Sequence, residues 1–179
     1  MSPMVEQPEG YDPKLDPIEI VDYDPRWPAL YLEEEAFLRR ALAGIPGIRL
    51  EHIGSTAVPG LAAKPIIDIM AAVDSREDWP RVLASLQSSG YAHRAYAFDE
   101  NHWFFVKGMP PYGERRTHQV HLWEFGGTTW LKHLAFRDFL RSHEVETGQY
   151  EILKRELARN SPSIGKATPK PRPTSSRAS

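Results

Sequence analysis

Apolar and polar positions along this chain alternate between the two rhythms that separate strands from helices. Ile18–Asp22 (IEIVD) repeats every second residue and predicts a short strand. Asp24-Pro25-Arg26 is a turn, with Asp24 placed to cap a helix. From Trp27 to Ala43 the residues Leu30, Tyr31, Phe37, Leu38 and Leu42 recur at helical spacing, with Glu33, Glu34 and Glu35 on the solvated side. Gly44-Ile45-Pro46-Gly47 breaks that helix. Ile48–Ile53 is the next strand, closed by Gly54-Ser55. Ile66–Val73 is a nearly unbroken apolar run, the pattern of a central strand covered on both faces. Asp74 or Ser75 opens a helix that Gly90 stops after about Ser88. Strands are predicted over Tyr91–Ala95, Trp103–Lys107 and Thr117–Phe125, then helices over about Thr128–Ser142 and Glu144–Arg159. This order makes an α+β (α/β) domain, a mixed β-sheet packed with helices.

Composition narrows the classes of function. The chain has 179 residues, 22 Lys+Arg against 24 Asp+Glu, and no cysteine. Its length suits one domain over 18–159, with disordered tails at 1–17 and 160–179, the second basic and rich in Pro and Ser. The missing cysteine excludes disulfides, thiolate zinc sites, iron–sulfur clusters and a cysteine nucleophile. No apolar run reaches the roughly 20 residues that span a bilayer. The acidic, Pro-rich opening MSPMVEQPEGYDPKLDP fits neither a signal nor a transit peptide, so a cytoplasmic location and no membrane partner are expected. Residues 159–179 carry five bases and no acid, which leaves the body with 17 bases and 24 acids. An acidic body argues against a nucleic-acid partner.

Two stretches carry candidate chemistry. In the first, Glu51-His52-Ile53-Gly54-Ser55-Thr56 leads to Asp68 within Ile66-Ile67-Asp68-Ile69-Met70. Gly54-Ser55 at a strand end lets the backbone approach a ligand and offers a hydroxyl to a phosphate. An aspartate inside a central apolar strand needs compensation, from a metal, a base or backbone donors. Lys64 stands near it, to contact a phosphate or pair with an acid. In the second stretch, Arg115-Arg116 precede Thr117-His118-Gln119-Val120-His121-Leu122-Trp123-Glu124. The arginines suit a phosphate or carboxylate clamp, with a solvated loop pair as the plainer reading. In a regular strand His118 and His121 point to opposite faces, so both serve one site only across a bulge or if His118 precedes the regular strand. His93, His102, His133 and His143 are scattered and read as packing or surface residues, and the five tryptophans as packing anchors.

The run from Val21 to about Leu157 resembles the GrpB family, small bacterial proteins placed in the nucleotidyltransferase superfamily. The matching segments are HIGSTAVPGLAAKPIIDI (52–69), RRTHQVHLWEFGGTTW (115–130) and KHLAFRDFLRSH (132–143). The resemblance implies a nucleotidyltransferase-like fold in which Gly54, Ser55 and Thr56 seat a nucleoside triphosphate. It implies metal-dependent transfer of a nucleotidyl or phosphoryl group to a small-molecule acceptor, with magnesium or manganese as cofactor. Asp68, His118 and His121 are then the catalytic candidates, and Lys64, Arg115 and Arg116 balance phosphate charge. Asp68, His118, His121 and Glu51 are the metal candidates, with His52 and Glu124 also able to replace a missing acid.

The chain departs from the pattern in three places. The superfamily's second strand carboxylate is Met70 here. The family's His-His-x-His strand reads His118-Gln119-Val120-His121, without the middle histidine. After Tyr150-x-x-Leu153-Lys154-x-x-Leu157 the chain turns to SPSIGKATPKPRPTSSRAS instead of a further helix, so an uncovered apolar patch is expected. Related domains fused to dephospho-CoA kinase suggest an alternative: a non-catalytic nucleotide-binding or accessory module beside a coenzyme A pathway enzyme. A third reading is acyl or amide transfer through a phosphorylated intermediate.

Overall fold

The computed structural model describes residues 19–94, 101–109 and 113–160. Helix α1 (Trp27–Ala41) begins with Pro28 in its first turn, where a missing N–H removes no helical bond, and buries Trp27, Tyr31, Glu34 and Leu38. Strand β1 (Arg49–Ile53) follows, then a 3-10 turn at Ser55–Ala57 and strand β2 (Ile67–Val73), whose residues are all buried except the half-buried Asp68. The helix predicted from residue 75 starts later. Ser75 caps a 3-10 turn at Arg76–Asp78, its hydroxyl accepting from Glu77 N at 3.2 Å, and α2 (Trp79–Ser88) opens where Pro80 can occupy the first turn. Strands β3 (Tyr91–His93), β4 (Trp103–Lys107) and β5 (His118–Glu124) precede α3 (Thr128–Ser142) and α4 (Glu144–Asn160).

The strands form one sheet in the order β1-β2-β5-β4-β3, with β2 and β5 parallel and the other pairs antiparallel. The expected mixed sheet with helices is therefore present. The strand expected at Ile18–Asp22 is reduced to a single bridge, Val21 to Ala63, and Ile18 lies outside the described residues. So do both expected tails, 1–17 and 160–179, apart from Asn160, which ends α4.

Register decides which side chains can meet, because partners across a ladder share a face. One face carries Leu50, Ile67, Ile69, Val120, Leu122 and Phe105 and is covered by α1 and α2. Leu38, Leu42, Val82 and Leu86 are wholly buried there, each contributing about 1.5–3 kcal/mol. The other face carries Ile53, Met70, Ala72 and Trp123 and packs against Trp130 and Leu134 of α3. Asp68, Gln119 and His121 lie on this second face by register. Along α3 and α4, Leu131, Phe136, Phe139, Val145, Ile152, Leu153 and Leu157 are exposed.

Candidate active site

The site forms where β1 leaves the sheet and β2 enters it. Gly54 takes φ +71° and ψ −173°, a combination open to glycine almost alone. A Cβ there would meet the Asp68 carboxylate Oδ2 and come within 3.0 Å of Asp68 Cβ. Glycine is thus what lets the turn pass over the aspartate. Ser55 next accepts at Oγ from Lys154 Nζ (2.7 Å), and the same ammonium donates to Ala62 O at 2.6 Å. Ala62 N donates to Glu151 Oε2 at 3.2 Å, so one turn of α4 holds both ends of the 55–62 loop. Burial pulls the Lys154 pKa down to about 8, opposed by Glu151 and Asp68 and assisted by Arg155.

Asp68 anchors a polar chain across the parallel ladder. In the amide orientation that satisfies both partners, the Gln119 nitrogen donates to Asp68 Oδ1 at 2.9 Å and its oxygen accepts from Arg116 Nη1 at 2.7 Å. His121 places Nε2 3.8 Å from Asp68 Oδ1. Its Nδ1 is 3.0 Å from His102 Nε2, and both rings lie nearly parallel to Trp123. His102 and Lys154 were not among the residues the sequence singled out. His102 lies just before β4 and outside any motif, and Lys154 belongs to a polar helix about a hundred residues from Ser55, so no local pattern marks either.

A cleft of about 140 Å³ is lined by Ser55, Thr56, Lys64, Asp68, Gln119 and Lys154, with Ile20, Ala63 and Ile66. A second, of about 210 Å³, shares Lys64 and Ile66 with it and adds Arg115 and Arg116. Gly54, Ser55, Lys64, Asp68, Arg115 and Arg116 thus come together. Arg115 also pairs loosely with Glu19 at 3.7 Å, and Arg116 Nε reaches Met109 Sδ. Thr56 lines the cleft, but its hydroxyl serves the loop. It donates to Ile66 O and lies 3.1 Å from His52 Nε2. A larger cleft, about 530 Å³, lies at the other end of β5 beside Arg76 and Trp130, away from Asp68.

Other candidates are placed elsewhere. The ladder is regular, so His118 points to the α1 face, 3.8 Å from Glu34 Oε2 and on the opposite side of the sheet from Asp68. It belongs to a buried cluster in which Lys107 Nζ (2.7 Å) and Tyr91 OH (2.9 Å) both donate to Glu34, and burial lowers its pKa. His52 also faces α1, stacked on Tyr31 at 4.5 Å, and burial is the main cause that takes its pKa to about 4. Glu51 is held by Arg137 Nη1 at 2.8 Å. Glu124 pairs with Arg76 at the far end of β5.

The metal expectation is not matched by the donor set. Met70 fills the second carboxylate position and is wholly buried. Among the described residues, no three His, Asp or Glu side chains converge as ligands. A pair of magnesium ions does not fit these residues. The cations Lys154, Lys64 and Arg116 occupy the surroundings of Asp68 instead.

The model of the family described as GrpB protein matches residues 17–167. The chain belongs to the GrpB family. A UPF0157 protein of Pseudomonas aeruginosa is 44% identical over 147 residues, 82% of this chain and 60% of that protein, so the chain spans about three fifths of that relative's length. A dephospho-CoA kinase of Mycolicibacterium paratuberculosis is 37% identical over 42% of this chain and 19% of its own. Among solved structures, conserved protein GrpB from Enterococcus faecalis superposes with a TM-score of 0.71 at 34% identity, covering 80% of this chain and 85% of that one. The Cid1 poly(U) polymerase gives 0.58 at 13% identity, over 79% and 45%. This GrpB-family chain therefore has a nucleotidyltransferase-like fold. Among its described residues no helix is long and apolar enough to cross a membrane.

Proposed function

We propose that this chain binds a nucleoside triphosphate in the Ser55–Asp68 cleft and transfers its nucleotidyl group to the hydroxyl of a small acceptor. The observation that carries the reading is that Ser55, Asp68 and two cations, Lys64 and Lys154, line one cleft of a nucleotidyltransferase-like fold. Ser55 and Lys154 hold phosphate oxygens, and Lys64, Arg115 and Arg116 offset charge along the adjoining cleft. Asp68, oriented by Gln119, accepts the hydroxyl proton as the acceptor oxygen bonds to the α-phosphorus. The bond from that phosphorus to the bridging oxygen breaks, and diphosphate leaves.

Thermal melting against nucleoside triphosphates, dephospho-CoA and CoA tests this, each in EDTA and with magnesium or manganese. A ligand bound only by the native state stabilises it by about 2.7 kcal/mol at a hundredfold excess over Kd. The expected result is a shift with a triphosphate that persists in EDTA and is lost in Lys154→Met. Turnover should vanish in Asp68→Asn with the fold kept, because Gln119 can still donate to the new amide oxygen. A shift seen only with divalent metal and indifferent to Lys154 would sink the charge assignment. Binding without turnover in any mixture would favour the accessory-module reading, which the partial match to a dephospho-CoA kinase supports.

A further inference from the structure

We propose that His102 is a positioning residue. It holds His121 in the tautomer protonated at Nε2, so that His121 presents a proton donor toward Asp68 and does not act as a metal ligand. The inference deepens the transfer reading and rests on it for its purpose, but its test needs no turnover.

Two imidazole nitrogens, His102 Nε2 and His121 Nδ1, stand 3.0 Å apart. With both rings neutral, a single proton lies between them, and one nitrogen donates while the other accepts. The far edge of His121 decides which. Its Nε2 is 3.8 Å from Asp68 Oδ1. Were the proton on Nδ1, Nε2 would aim a lone pair at a carboxylate. An N–H there is attracted by the same charge. Nδ1 of His121 therefore accepts, and His102 Nε2 donates.

Packing holds His102 Nε2 against His121. His102 is 8% exposed, its ring is stacked on Trp123 at 4.4 Å and 8°, and it is tilted only 10° from the plane of His121. The Phe104 ring also packs against His121, with centroids 4.8 Å apart. The 3.8 Å gap between Nε2 and Asp68 exceeds a direct hydrogen bond but suits one bridging oxygen, such as that of an acceptor hydroxyl or a phosphate. A donor at Nε2 and a carboxylate at Asp68 would then contact the reacting oxygens from two sides.

The experiment is a long-range proton–nitrogen NMR correlation on the ¹⁵N-labelled, ligand-free full chain above pH 8, where ordinary histidines are neutral. His121 is assigned by the signal missing from His121→Asn. Two variants separate donation from packing. His102→Phe keeps an aromatic ring on Trp123 and removes the donor; His102→Gln loses the ring and keeps an N–H at similar reach. The expected outcome is His121 protonated at Nε2 in the parent and in His102→Gln. In His102→Phe the ratio of the two neutral tautomers should move about tenfold toward Nδ1–H. Melting curves confirm that each variant is folded. His121 protonated at Nδ1 in the parent would overturn the proposal. So would Phe and Gln variants with the same tautomer ratio, the outcome expected if His102 only fills space. An Nε2–H signature without triphosphate binding would remove the transfer reading and leave the tautomer assignment standing.

Discussion

Replacing Gly54 by alanine tests the close approach on which the site depends. The residue sits at φ +71° and ψ −173°, a region that costs a non-glycine residue about 1–3 kcal/mol. Strain is not the whole penalty. The new Cβ would run into the Asp68 carboxylate and lie 3.0 Å from Asp68 Cβ and 3.1 Å from Cγ, tighter than ordinary packing. Forcing that carboxylate off its rotamer adds about 0.5–1.5 kcal/mol. The sum, about 1.5–4.5 kcal/mol, corresponds to a Tm lowered by roughly 3–18 °C for a chain of this size. Urea denaturation reads the same quantity. Gly60 supplies the control: it has φ +80° and nothing within 4 Å of where a Cβ would stand. Gly60→Ala carries only left-handed strain, about 1–2 kcal/mol. The difference between the two variants isolates the contact with Asp68. If Gly54→Ala were as mild as Gly60→Ala within about 0.5 kcal/mol, the turn would not be pressed against the aspartate, and the site geometry would be refuted.

Triphosphate affinity should fall as pH rises above about 8, by up to tenfold per pH unit, as Lys154 loses its proton. Isothermal titration from pH 7 to 9.5 measures the slope, and Lys154→Met should flatten it. His52 has its folded pKa below the unfolded value, so the folded state binds fewer protons between about 6.5 and 4. Stability should therefore decline as pH falls through that window, by on the order of 2–3 kcal/mol at its lower end. His52→Phe, which keeps a ring on Tyr31, should reduce that slope in chemical denaturation. Lys107→Met leaves Glu34 buried without its ion pair and should cost about 2–4 kcal/mol, read from the urea midpoint.

Local pattern recovered the fold because each element's period is written in its own residues. The unbroken apolar run of β2 and the helical stripe of α1 are examples. It failed at Ile18–Asp22, where alternation was present but, among the described residues, only Val21 forms a β-bridge, to Ala63. The site was half legible. Gly54, Ser55 and Asp68 are marked by being out of character, a glycine-serine at a strand end and a carboxylate in an apolar run. Strand parity also separated His118 from His121, and the regular ladder keeps them on opposite faces. Lys154 and His102 were invisible for a physical reason. Their significance comes from what α4 and β4 bring beside Ser55 and His121, and no spacing along the chain encodes that.

The parallel pairing of β2 with β5 has a kinetic consequence. Between those strands in sequence lie α2, β3 and β4, so their ladder closes only after a long stretch of chain has been drawn in. The β1–β2 and β4–β5 pairings join neighbours and form at less entropic cost, so the β2–β5 junction is expected to close after them. Asp68 stands on one side of that junction and Gln119 on the other. The same junction is where a partial opening would divide the molecule into two locally paired halves. A ligand gripping Ser55 and Arg116 together would tie those halves, and amide exchange along β2 and β5 should slow in its presence more than exchange in α2.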